Sequence, residues 1–317
     1  MTQWVEDRYL AGYEQTRIEL PEGAVVPGEP GPLDAVLVRR NPPTHRRAML
    51  YVHGWNDYFF QTHLADRMDA LGFDFHAIDL RRYGRSLREG QVPGFITDLD
   101  DYSAELDAAL TELMRDHDSV TLMGHSTGGL IASLWADRRP GLLDGVILNS
   151  PWLDLQGSAL RKAVTTPVMR RLGPGLATRV LPMPNNGLYN RAVFASLDGE
   201  WVVDESIKGG PGFQVRIGWL AAVMAGHARV AQGLSIDCPI LVLTSARSDF
   251  RDEWDPALKS ADGVLDVEQI ARRAVQLGSH MTLVRFEGGM HDLALSAAPV
   301  REVLFDEIGR WARTYVV

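Results

Sequence analysis

Six short, nearly unbroken apolar runs punctuate the chain: Ala48–Val52, Phe73–Leu80, Val120–Met123, Gly145–Asn149, Pro239–Thr244 and Met281–Phe286. Each is bounded by glycine, proline or charged residues. Near-continuous apolar runs this short predict strands buried on both faces, which is the pattern of a parallel sheet. Between them the apolar spacing changes to three and four. Gln61–Leu71 sets Leu64, Met68 and Leu71 on one face, and Asp98–Asp116 does the same with Leu99, Tyr102, Leu106, Ala109, Leu110 and Leu113. Val267–Leu277 and Pro299–Tyr315 repeat the pattern, so amphipathic helices are predicted there. Strands alternating with helices imply right-handed βαβ crossovers and the α/β class. Thr16–Arg39 reads as an antiparallel opening of the same sheet.

The rhythm breaks between Trp152 and Gln232. This stretch has no clear strand, helix-like pieces around Ser158–Arg171 and Phe213–Ala231, and the proline- and glycine-rich Leu181–Gly187 between them. A long insertion of this kind between two strands most simply covers the strand ends. The expected organisation is a first core part over 1–151, a helical cap or lid over 152–232 and a second core part over 233–317. An ordinary helical elaboration packed elsewhere is the alternative.

Composition narrows the function classes. With 317 residues, 45% hydrophobic and 23% charged, one large domain with an elaboration is expected. The net charge of −9 disfavours a nucleic-acid partner or a polybasic membrane footprint. Cys238 is the only cysteine, which excludes an intrachain disulfide and a multi-cysteine metal site, and it reads as a small core residue. Neither a signal-peptide pattern nor an apolar stretch of membrane-spanning length is visible, so a cytoplasmic location is the default expectation. No His-x-x-x-His or similar metal motif occurs, and no cofactor is expected.

The chemistry concentrates at Gly124-His125-Ser126-Thr127-Gly128, between the apolar run Ser119–Met123 and the helix-like Leu130–Ala136. Gly-x-Ser-x-Gly between strand and helix is the context of a nucleophile elbow, in which a sharp turn projects a serine beside free helix N–H groups. A serine hydroxyl needs a base, and in this chain order a carboxylate and then a histidine follow it. His291, in the polar loop Glu287–Asp292 after the last strand, falls at the same sheet end as Ser126, whereas His280 precedes that strand. Asp249, Asp252, Asp255 and Asp262 are the carboxylates in reach. Asp252 and Asp255 stand in a charged stretch. Asp262, before an apolar segment, is favoured, and Asp249, nearest the strand end, is its rival. The two oxyanion donors are expected from the Thr127 N–H and from the Trp55 N–H in His53-Gly54-Trp55-Asn56, with His53 bracing that turn.

The motifs Val52-His53-Gly54-Trp55, Asp79–Ser86, Gly124–Gly129 and Glu287–Asp292 resemble those of the α/β-hydrolase superfamily. Within it, they are similar to the branch of monoglyceride lipases, lysophospholipases and serine aminopeptidases. The resemblance runs from about Ala48 onward. It implies an α/β-hydrolase fold, a mostly parallel sheet flanked by helices, with a helical cap matching Trp152–Gln232. It also favours Asp262 as the acid, although Arg247–Ser260 is inserted ahead of it. Trp55 is larger than the residue often found at its turn and is expected to narrow the acyl side. The implied function is a serine hydrolase acting through an acyl-enzyme on Ser126, with Asp262 and His291 completing the triad and Trp55 and Thr127 the oxyanion hole. Its expected substrate is a small-molecule carboxylic ester with a hydrophobic acyl or aryl group. A peptidase or amidase on the same residues, or a non-catalytic ligand-binding protein, are the alternatives.

Overall fold

The structure is a computed structural model that describes residues 3–21, 26–40, 42–155, 175–182, 187–208 and 212–316. Nine strands form one sheet in the order β1-β2-β3-β5-β4-β6-β7-β8-β9. They are β1 Val5–Glu6, β2 Glu14–Glu19, β3 Asp34–Arg39, β4 Arg47–Val52, β5 Phe73–Asp79, β6 Ser119–His125, β7 Gly145–Asn149, β8 Ile240–Ser245 and β9 Met281–Phe286. The first three strands pair antiparallel, and β3 joins β5 antiparallel; every later pairing is parallel. All six predicted apolar runs are strands, and the antiparallel opening lies where Thr16–Arg39 suggested.

In the central strands side-chain alternation leaves no polar face, whereas β5 carries Asp74 and His76 on one face and the edge strand β9 is only partly buried. In β4, Ala48, Leu50 and Val52 enter one hydrophobic layer while Met49 and Tyr51 enter the other. Val146 and Leu148 against Ile147, and Ile240 and Val242 against Leu241 and Leu243, divide the same way. Both faces of a two-residue repeat are therefore apolar. One layer is closed by α2 (Ser103–Leu113), α3 (Thr127–Asp137) and the helices Ile217–Gln232 and Val267–Ala274. The other is closed by α1 (Thr62–Ala70) and the helix Ala298–Tyr315. The helix expected over Asp98–Asp116 is divided. Asp98 accepts from the Asp100 N–H and starts a 3-10 turn over Leu99–Tyr102, and the α-helix begins only at Ser103.

Within Trp152–Gln232 the described helices are Leu188–Val193, Glu205–Lys208 and Ile217–Gln232. The helix expected over Ser158–Arg171 lies outside the described residues. The helix expected from Phe213 starts at Ile217, because Arg216 is extended and bridged to Val180. A third apolar cluster joins Ala192, Val193, Phe194 and Ile207 to Tyr58, Phe60, Met290 and Leu295, which follow β4 and β9. This part of the insertion thus sits over the C-terminal ends of the parallel strands. Among the described residues no helix is long and apolar enough to cross a membrane.

Candidate active site

Strand β6 ends in a turn so tight that Ser126 takes φ 53° and ψ −117° before α3 begins at Thr127. A non-glycine residue holds such a conformation only when its surroundings over-determine it. Here the Ser126 N–H donates to the Asn149 carbonyl at 3.0 Å, and its carbonyl accepts from the N–H groups of Gly129, Leu130 and Trp152. The flanking glycines are required by contact. A Cβ on Gly124 would lie 2.6 Å from the Gly128 carbonyl oxygen, and one on Gly128 would lie 2.3 Å from that of His53.

Beside the serine, His291 sits in the loop after β9. Its Nε2 is 3.0 Å from Ser126 Oγ and its Nδ1 is 2.9 Å from Asp262 Oδ2. The other Asp262 oxygen accepts the N–H groups of Val264 and Leu265 at 2.8 and 2.7 Å. With Nδ1–H donated to the carboxylate, Nε2 is left as the acceptor of the serine hydroxyl. All three side chains are buried, Asp262 completely.

The inserted segment ahead of Asp262 leaves and returns through one point. Ser248 and Asp262 form a parallel bridge, with Asp262 N–H donating to the Arg247 carbonyl at 3.0 Å and Asp249 N–H to the Asp262 carbonyl at 2.9 Å. Asp262 therefore stands at the strand end, although far from it in sequence. Asp249 turns its carboxylate to Arg251 at 2.7 and 2.9 Å and to Arg247, not to the imidazole.

On the opposite side of Ser126 lies the turn after β4. His53 Nε2 accepts the Leu80 N–H at 3.1 Å, so its Nδ1 carries the proton and donates to the Gly54 carbonyl at 2.8 Å. His53 thus braces the turn. A Cβ on Gly54 would come within 3.2 Å of Ser126 Cβ, which shows how closely turn and elbow approach. Neither the Trp55 nor the Thr127 backbone N–H has a partner among the described residues.

Behind this turn stands a frame whose members were visible in the sequence but whose partners were not. Arg81, Arg82 and Arg85 are all buried. Arg81 forms a two-point pair with Glu105, Arg82 with Glu29, and Arg85 reaches Asp7 at 2.5 Å and Asp79 at 3.0 Å. Asp79 accepts the Phe59 N–H, and Arg85 donates to the Phe59 carbonyl, so the charge cluster holds the chain just beyond the turn. Partners this remote in sequence give no local signal.

A second network anchors the histidine loop. Asp292 accepts from Asn149 Nδ2 at 2.7 Å, Gln61 Nε2 at 3.2 Å and the Ala294 N–H at 3.0 Å. Burial alone would raise its carboxyl, but the nearby His125 and these donors hold it below the ordinary carboxylate range. Burial pushes the His125 imidazole down, so this ring, 4.9 Å from that of His291, stays neutral near pH 7. It therefore places no like charge beside a protonated His291.

Described residues of the insertion reach the site and its surroundings. The Tyr189 ring stands edge-on to His291 at 5.6 Å. Lys208 donates to Asp57, next to the turn, at 2.6 Å; Tyr58 Oη accepts the Asp204 N–H, and Trp201 donates to the Leu295 carbonyl. Elsewhere, burial pushes the Cys238 thiol up to about 11, which leaves it a core residue without thiolate character. Among the described residues, His45, Asp69 and Asp74 could together face a metal ion, but they lie at the opposite end of the sheet. Asp74 there already accepts from Thr44, His45 and His117.

Residues 43–296 match the protein family described as serine aminopeptidase, S33. Phospholipase YtpA of Bacillus subtilis (strain 168) is 31% identical over 110 residues, which span 34% of this chain and 41% of that protein. The match to this relative thus covers less than half of its length. Among solved structures, a monoacylglycerol lipase from Paleococcus ferrophilus superposes with a TM-score of 0.62 at 20% identity, over 84% of this chain and 94% of that one. A soluble variant of monoglyceride lipase from Saccharomyces cerevisiae gives 0.63 at 14% identity, over 99% and 97%. A thermostable carboxyl esterase from Bacillus coagulans gives 0.65 at 15% identity, over 96% and 99%. At these identities the likeness is one of fold.

Proposed function

The chain belongs to the serine aminopeptidase S33 family of the α/β-hydrolase superfamily, and on that premise we propose that it is a serine hydrolase cleaving a small carboxylic ester. The observation that carries this reading is the unbroken hydrogen-bonded line from Ser126 Oγ through His291 to Asp262, beside two backbone N–H groups that have no partner among the described residues. His291 Nε2 takes the hydroxyl proton as Ser126 Oγ attacks the ester carbonyl carbon. Asp262 holds the imidazole in the required tautomer and stabilises the imidazolium. The N–H groups of Trp55 and Thr127 receive the oxyanion. The intermediate collapses as His291 gives its proton to the leaving oxygen, and water then resolves the acyl-enzyme by the same path reversed. The segment 152–232 serves as the cap, with Tyr189 above the imidazole.

The test is covalent labelling. A fluorophosphonate should modify intact protein at Ser126, and Ser126→Ala should lower ester turnover by roughly four orders of magnitude while the fold persists. No adduct, or turnover near that of the parent, would overturn the reading. The family description favours a peptidase as the second reading, since the same groups attack an amide. Nitrophenyl esters set against aminoacyl anilides separate the two.

A further inference from the structure

Along the strand order, Ser126 stands between two flanks. The Trp55 turn follows β4 on one side of β6, whereas Asp262 and His291 follow β8 and β9 on the other. In an acyl transfer the imidazole must hand its proton to the leaving oxygen, so the leaving group lies on the His291 side. The acyl group then faces the flank that carries Trp55.

That flank is filled with rings. The Trp55 and Trp219 ring centroids are only 3.8 Å apart, with 37° between their planes. Phe213 stands perpendicular to Trp55 at 5.6 Å, and Tyr83 meets it edge-on at 6.0 Å. Gly94 closes another edge, since a Cβ there would lie 2.7 Å from the indole. Trp152 packs on Trp219 at 5.9 Å, and its backbone N–H donates to the Ser126 carbonyl, which ties this aromatic group to the elbow. Trp219 is buried against the sheet's larger apolar layer.

We propose that Trp55 and Trp219 form the end wall of the acyl site and restrict the chain to short acyl groups, acetyl to butyryl. The inference rests on the serine-hydrolase reading of the site. A longer acyl chain has to displace a partly buried indole packed against Trp219, Phe213, Tyr83 and Gly94, and close-packed rings do not yield a ring's volume without rearrangement. The rings of Phe213 and Trp219, within the insertion, thus pack around a short site and do not line a long one.

The experiment compares nitrophenyl acetate, butyrate, octanoate and laurate, alongside acetates of lengthening alcohols. For the parent chain, kcat/KM should peak at acetate or butyrate and fall about tenfold or more by octanoate. Trp219→Ala, and the milder Trp219→Leu, should raise the octanoate-to-butyrate ratio about tenfold and leave the alcohol series unchanged. Fluorophosphonate labelling of Ser126 identifies variants that retain the site. A parent optimum at octanoate or laurate overturns the proposal, as does an unchanged ratio in a variant that still labels, or an equal shift in the alcohol series. If neither variant folds, the parent profile decides. A parent chain that neither labels nor cleaves any ester overturns the serine-hydrolase reading and this one with it.

Discussion

Gly128 shows how little room a single residue has at this site. A side chain there would meet the carbonyl oxygens of His53 and Val52 at 2.3 and 2.4 Å, and both belong to backbone that cannot swing away. Gly128→Ala should therefore push the Trp55 turn off the elbow. The expected loss is about 1–3 kcal/mol of stability, read from a urea melt, with a fall in kcat larger than the change in KM. A variant with parent kcat would show that the turn does not need this approach. Ser126 and His291 were legible in the sequence because local pattern locates each of them: a motif between strand and helix, and a glycine-rich loop after a strand. Asp262 was legible only as one of several carboxylates. Its place depends on the bridge to Ser248, a contact across the inserted segment that no spacing reveals.

At the scale of elements, periodicity carried the sheet and most of its helices, since burial on two faces or on one stripe is written residue by residue. Long-range charge pairing was not. Asp79–Ser86 stood out as a motif, yet nothing nearby in sequence pointed to Asp7, Glu29 or Glu105 as partners. Arg85, 1% exposed, joins β1's neighbour Asp7 to Asp79 at the end of β5 and to the Phe59 carbonyl. Removing one member of a buried charge group strands the others without solvent. Asp7→Ala should thus lower the unfolding free energy by about 3 kcal/mol, measured by denaturant melting. A change within about 0.5 kcal/mol, typical of a surface position, would mean that Arg85 is satisfied without it.

Across the whole molecule, stability should depend on acid in two steps. His76, in β5, packs edge-on against Trp4 at 6.4 Å and His117 at 5.3 Å, and burial pushes its imidazole down to about 3. An unfolded histidine titrates near 6.5, so the unfolded chain binds this proton first. The His76 contribution is then complete above about pH 6.5 and drains away as pH falls toward 3, at up to about 1.4 kcal/mol per unit. Asp292, held low by His125 and its donors, keeps its contribution above the ordinary carboxylate range and loses it as pH falls through that range and below it. His76→Phe should lessen the slope when melts are compared between about pH 6.5 and 4.5, with His63 and His125, also pushed down by burial, keeping their share; an unaltered slope there would remove His76 as a source.

The doorway formed by Ser248 and Asp262 separates two duties along one stretch of chain. Beyond it, Trp254 receives the Arg191 guanidinium 4.5 Å from its ring centre, and Lys259 donates to the Asp198 carbonyl at 2.7 Å. The excursion therefore buttresses the helix that carries Tyr189, while Asp262 is held where the excursion returns, by the bridge to Ser248 and by the N–H groups of Val264 and Leu265. Because loop closure depends only weakly on length, the excursion can be lengthened, shortened or exchanged as a cassette. Such a graft would recontour the surface beside Tyr189 and leave the hydrogen bonds from Ser126 through His291 to Asp262 where they stand.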